Sequence, residues 1–254
     1  MTWMQKLVIA ILRVLINILC RVDAEQLKKV PMHGPLILVA NHVNFLDVPL
    51  LFVYLQPRRV TAFAKIETWE NPILGFLFTL FDAIPIRRGE ADTTAFRRAL
   101  AELEAGHILA IAPEGTRSRN GRLQRGRPGA VMLALRTGAP LLPVAYYGGE
   151  NFYRNLSRLR RTDFHIVVGE PFYVEAHGMK VTREVRWQIT DEVMYQLAAL
   201  LPPAYRGYYS DLSAATERYL RFPPNSESNL RRAFAATATA SESLQGAPVG
   251  ARQG

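Results

Sequence analysis

The chain has 254 residues, 49% hydrophobic and 21% charged. That supports one large core or two small ones and excludes wholesale disorder. The formal net charge of +9, carried by 26 Arg and only five Lys, points to anionic partners: a phosphorylated substrate, an anionic lipid surface or nucleic acid.

Residues 3 to 21 form an apolar stretch interrupted by Arg13 and Asn17. At 100° per residue, Thr2, Lys6, Arg13, Asn17 and Arg21 fall within roughly one third of a helical wheel. The pattern predicts a helix with a wide apolar face and a narrow basic stripe. It is too short and interrupted for a membrane span. It is a poor signal peptide, because Arg13 splits the apolar run and no small-x-small site follows. A helix lying in the bilayer interface, basic stripe toward the headgroups, fits; packing on the protein's own core is the alternative. The single cysteine, Cys20, falls in this helix, so no disulfide or cysteine metal cluster forms within one chain.

Beyond it the pattern alternates. Leu36–Ala40 reads as a strand, Val48–Leu55 as a helix and Val60–Ala64 as a strand. Ile73–Phe81 is a very apolar helix. Ala83–Ile86 reads as a strand, Thr93–Ala105 as a helix, Ile108–Ala112 as a strand and Ala130–Thr137 as a helix ended by Gly138. Leu141–Tyr147 and Phe164–Val168 are strands. Thr182–Leu201 is a long helix with Thr182 as N-cap. This alternation predicts an α/β fold, a mainly parallel sheet flanked by helices. After Phe222 the composition turns to Pro, Ser, Ala, Thr and Gly, with at most a short helix over Asn229–Ala236. The expected organisation is an N-terminal amphipathic helix (1–24), a main domain (25–222) and a flexible tail (223–254).

Three strand-end loops carry chemistry. Asn41-His42-Val43-Asn44-Phe45-Leu46-Asp47-Val48-Pro49 follows the first strand. Pro49 suits the first turn of a helix, which leaves His42 on the loop and Asp47 at the helix start. A reversal between them would bring the carboxylate to one ring nitrogen and leave the other for a substrate, as base catalysis on a hydroxyl requires. Ile84-Pro85-Ile86-Arg87-Arg88 puts two arginines after another strand. Pro113-Glu114-Gly115-Thr116-Arg117-Ser118 follows a third. In open α/β sheets, loops at the carboxyl ends of strands line the ligand crevice. Arg87, Arg88 and Arg117 suit a phosphate clamp, Gly115 a tight turn, and Glu114 either a substrate hydroxyl or an arginine. The arginines at 119, 122, 125 and 127 lack interleaved aromatics or a reading helix, so no nucleic-acid partner is expected. The five histidines show no close pairing, so no metal is expected.

Taken with Leu142-Pro143-Val144, these segments follow the order and spacing of four motifs, and the sequence resembles the 1-acyl-sn-glycerol-3-phosphate acyltransferases of the glycerolipid acyltransferase superfamily over roughly residues 25 to 200. The resemblance implies that His42 is the general base and Asp47 orients it. It implies that Arg87, Arg88, Glu114, Gly115, Thr116 and Arg117 bind the acceptor phosphate in whole or part, with Lys65 nearby. It places Pro143 on the acyl-donor side. Asn44 departs from the Ser often found there. The implied co-substrate is acyl-CoA or acyl-acyl-carrier protein, without a cofactor, and the implied partners are membrane lipids. A peripheral or monotopic place on the cytoplasmic face of the cell membrane follows from the same resemblance.

Overall fold

A computed structural model describes residues 1–87, 89 and 92–245, with side chains through 239. In chain order the elements are α1 (Trp3–Leu19), β1 (Cys20–Asp23), β2 (Leu36–Ala40), α2 (Asp47–Tyr54), β3 (Val60–Lys65), α3 (Pro72–Leu80), β4 (Ile84–Ile86), α4 (Thr93–Glu104), β5 (Ile108–Ile111), α5 (Gly129–Thr137), β6 (Leu141–Tyr147), α6 (Phe152–Leu156), β7 (Thr162–Val168), β8 (Tyr173–Val174), α7 (Arg183–Ala198), β9 (Leu220–Arg221) and α8 (Asn229–Gln245). Short 3₁₀ turns join several of them.

Seven strands form one sheet in the order β1-β7-β6-β2-β5-β3-β4. Every neighbouring pair is parallel except β6 with β7, so β1 and β7 run against the other five. β8 and β9 make a separate two-stranded ribbon. The central strand β2, Leu-Ile-Leu-Val-Ala, is buried throughout, as a parallel strand covered on both faces must be. Its alternation divides the core. Leu36, Leu38 and Ala40 face the layer of α1 and α2. Ile37 and Val39 face the layer of α4, α5 and α7. Each fully buried aliphatic side chain contributes about 1.5–3 kcal/mol relative to exposure.

The helix starts follow local chemistry. Thr182 and Asp92 cap α7 and α4 through side-chain oxygens that accept backbone N–H groups of Val185 and Ala95. Asn71 caps α3 with Pro72 at its first position. At Gly138 the chain turns left-handed to end α5.

Two features differ from the sequence expectation. The first is the N-terminal segment. Its helix stops at Leu19, and Cys20 begins edge strand β1, paired with β7. The polar stripe of α1 stays exposed but runs along the seam between the helix and the body, where some of its side chains bond across. Arg13 Nη2 donates to Val53 O at 2.8 Å, Asn17 Oδ1 accepts from Tyr54 Oη at 3.0 Å, and Gln5 Nε2 donates to Leu80 O at 2.8 Å. Ile9 and Ile16 are buried against the body. A broad apolar surface, Trp3, Leu7, Ile11, Val14, Leu15 and Ile18, is left open beside that stripe. Ile73, Leu74 and Phe76 of α3 are likewise exposed.

The second is the C-terminal region read as a tail with a short helix. Helix α8 runs to Gln245. Its start is fixed: Asn229 Oδ1 accepts from Glu170 N at 2.7 Å, Asn229 N donates to Gln196 Oε1 at 3.0 Å, and Leu230 is buried. An anchored first turn supplies the nucleus that the isolated segment lacks.

Candidate active site

The five co-directional strands β2, β3, β4, β5 and β6 bring their carboxyl ends to one edge of the sheet. His42 follows β2, Lys65 ends β3, Arg87 follows β4 and Glu114 follows β5. Topology alone therefore gathers these loops.

His42 Nδ1 lies 2.7 Å from Asp47 Oδ2. The side chains are 14% and 4% exposed. The same Oδ2 accepts the backbone N–H of Val43 at 2.7 Å and of Asn44 at 3.0 Å. This is why the residues five apart meet: the backbone wraps around the carboxylate as α2 begins. An ionised carboxylate only accepts, so Nδ1 carries the proton and Nε2 presents a lone pair. Arg117 Nε donates toward that atom at 3.4 Å.

The loop is braced from three sides. His42 N donates to Glu114 Oε1 at 3.0 Å, and Gln124 N donates to Glu114 Oε2 at 2.9 Å. Ser118 N donates to His42 O at 2.7 Å. Asn41 reads both backbone groups of Tyr146, donating to its carbonyl and accepting from its N–H, each at 2.7 Å. Asn44 Nδ2 donates to Gly149 O at 2.7 Å while its Oδ1 accepts from Leu46 N.

Glu114 is thus not open to a ligand. It is 2% exposed with both oxygens taken by backbone. Burial pushes its carboxyl up to about 7, the accepted backbone bonds pull it down, and the Asp47 charge adds to the rise. Gly115 takes φ +70°, and a side chain there would press on Arg127. Thr116 and Arg117 are exposed at the edge of the site, as are Lys65 and Arg87. Arg87 N donates to Asp92 Oδ2, which fixes the turn after β4. Arg88 lies outside the described residues. Pro143 does not reach this edge: it is buried within β6, opposite Val39, and its carbonyl accepts from Gly169 N.

Asn41, Asn44, Ser118 and Tyr146 hold the site although the sequence reading gave them no part in it. Buried asparagines flanking a histidine were the available signal, because a buried amide must find partners. Two oxygens here have none: Asp47 Oδ1 and Tyr146 Oη are both buried without a hydrogen bond. Burial and the Asp47 charge push the Tyr146 phenol up. Among the described residues no group of three His, Cys, Asp or Glu is placed to hold a metal ion.

A family model described as Acyltransferase matches residues 21–147, which contain all three of these catalytic-type loops. The chain belongs to the acyltransferase family. A 1-acyl-sn-glycerol-3-phosphate acyltransferase of Bacillus subtilis is 26% identical over 163 residues, 64% of this chain and 79% of that protein. A chloroplastic 1-acyl-sn-glycerol-3-phosphate acyltransferase of Brassica napus is 26% identical over 158 residues, 60% of this chain and 45% of its own length. A lyso-ornithine lipid O-acyltransferase of Pseudomonas aeruginosa is 34% identical over 156 residues, 54% of this chain and 59% of that protein. This acyltransferase chain therefore spans only about half the length of several curated relatives it matches. The crystal structure of a 1-acyl-sn-glycerophosphate acyltransferase, PlsC, from Thermotoga maritima superposes with TM-score 0.55 at 24% identity, covering 74% of this chain and 76% of the other. That likeness establishes a shared fold.

Proposed function

We propose that this acyltransferase moves a fatty acyl group from an acyl thioester, acyl-CoA or acyl-acyl-carrier protein, to the sn-2 hydroxyl of 1-acyl-sn-glycerol 3-phosphate, giving phosphatidic acid. The observation that carries the reading is the outward lone pair of His42 Nε2, made available by Asp47 on Nδ1 and flanked at 3.4 Å by Arg117. A hydroxyl entering beside Arg117 brings its proton to Nε2 while its phosphate meets the guanidinium. Its oxygen attacks the thioester carbonyl as His42 takes the proton. The C–S bond then breaks and the thiolate leaves, recovering that proton from the imidazolium, whose charge Asp47 offsets. No acyl-enzyme is needed. Burial pushes the Cys20 thiol up, and edge strand β1 gives it no route to the base.

The open apolar faces of α1 and α3 suit a peripheral or monotopic place on a membrane, and we place it on the cytoplasmic side, where both kinds of acyl donor occur. No helix among the described residues is long and apolar enough to cross one. The similarity to the lyso-ornithine lipid acyltransferase favours one second reading, transfer to a different lysolipid.

A thiol-release assay over a panel of acceptors (lysophosphatidic acid, glycerol 3-phosphate, lysophospholipids, lyso-ornithine lipid) and both donor types tests this. Release only with lysophosphatidic acid supports the first reading, and release only with another acceptor the second. Release without acceptor means a hydrolase. Silence with every pair means a lipid-binding protein.

A further inference from the structure

Between β6 and β7 the chain makes α6 and a turn that serve no part of the site. Tyr153 (64% exposed), Leu156 and Leu159 (95% exposed) project from it. Arg154, Arg158 and Arg160 are exposed among them. Among the described residues none of these three arginines has an ion-pair partner.

Leu159 is held out rather than loose. Its φ is +52°, the left-handed C′ position at which the chain ends α6. Leu159 N donates to Leu156 O at 3.0 Å and Arg160 N to Asn155 O at 2.9 Å. The turn is also braced at both ends. Arg161 Nη2 donates to Asn17 O and Cys20 O at the end of α1. The rings of Phe152 and Tyr153 pack on Phe45 at 5.5 and 6.0 Å, three residues beyond His42.

We propose that residues 152–161 form a second bilayer contact, an apolar tip in an arginine collar that docks on an anionic lipid surface. The leucines enter the acyl boundary while the guanidinium groups stay at the phosphates. This inference rests on the reading that the protein works at a lipid surface. An acidic carrier protein would answer the same arginines. It would leave unexplained the apolar tip of Tyr153, Leu156 and the almost fully exposed Leu159, and on that ground lipid is the better occupant.

The test is co-sedimentation of the full chain, without substrate, with vesicles of pure phosphatidylcholine and of phosphatidylcholine mixed with phosphatidylglycerol. Leu159→Glu should weaken partition to both by on the order of tenfold. The double variant R158E/R160E should lose binding chiefly to the mixed vesicles, and its remaining binding should stop responding to salt. Leu159→Gly guards against a folding artefact: it relieves the positive φ, so it should melt no lower than wild type and still lose partition. Unchanged binding in Leu159→Gly and Leu159→Glu would overturn the proposal. So would a double variant that binds both kinds of vesicle as the wild type does. Because no acyl transfer is measured, a wrong assignment of the reaction would leave this result standing.

Discussion

The backbone N–H of His42 ends on the side chain of Glu114, 3.0 Å from Oε1. The loop that carries the base is therefore fastened to the loop that carries Arg117 by a carboxyl group rather than by a strand. Gln124 N completes the fastening on the other oxygen.

That carboxyl gives the fold a pH signature. It titrates at about 7 in the folded chain against an ordinary value of 4.5. Between those values the folded state holds a proton that the unfolded chain has released. Stability from this group therefore falls as pH rises from 4.5 to 7, by on the order of 3 kcal/mol. In Glu114→Gln the contribution is absent. The wild-type advantage in melting temperature over E114Q should be widest near pH 5 and shrink toward pH 8. A gap that stays constant across that range would contradict the assignment.

His42→Ala should abolish turnover and leave the melting temperature within a few degrees of wild type. Asp47→Asn should be worse for the fold. It turns an amide N–H toward the N–H groups of Val43 and Asn44, which now share one carboxylate oxygen with His42. A loss of about 2–4 kcal/mol and a fall in kcat of at least about 100-fold are expected, from chemical denaturation and steady-state kinetics. Substantial activity in His42→Ala would remove His42 as base, and substantial activity in Asp47→Asn would remove Asp47 as its support.

Arg117 is exposed and close to Nε2, so its removal should spare stability and tax acceptor binding. Arg117→Ala should raise KM for a phosphorylated acceptor by roughly 10- to 100-fold, the worth of a charge-assisted bond. KM for the acyl donor should stay near wild type. Equal rises for both substrates would place the guanidinium elsewhere in the reaction.

Tyr146 offers a packing test. Its hydroxyl is buried without a partner, and such a group is a cost that an isosteric phenyl ring lacks. Tyr146→Phe should be neutral or stabilising by about 1 kcal/mol. A clear loss of stability would show that the hydroxyl is bonded in solution, with Asp47 Oδ1 the nearby oxygen also lacking a donor.

What the sequence disclosed follows from which signals are local. β2, β6 and α7 declare themselves by apolar runs and caps, and the loops after β2, β4 and β5 by their residue types. β1 was hidden because four residues, Cys-Arg-Val-Asp, continue an apolar helix without punctuation; only pairing with β7 makes them a strand. The orientation of α1 was hidden for the same reason. A wheel shows that polar residues share a stripe, but not that Arg13 and Asn17 within it bond to Val53 and Tyr54 at the end of α2. Glu114 drew notice as a ligand for substrate, and its actual partners are backbone groups, which no side-chain pattern reveals.

Helix α1 passes into β1 between Leu19 and Cys20 without a linker, and β1 is stitched to the sheet that holds His42. The apolar face and the imidazole are thus parts of one stiff body. Any lipid layer that receives that face meets the base at one set height. Were an acceptor to reach Nε2 from such a layer, the height of its hydroxyl above the hydrocarbon would be set by the seam between a helix and its strand.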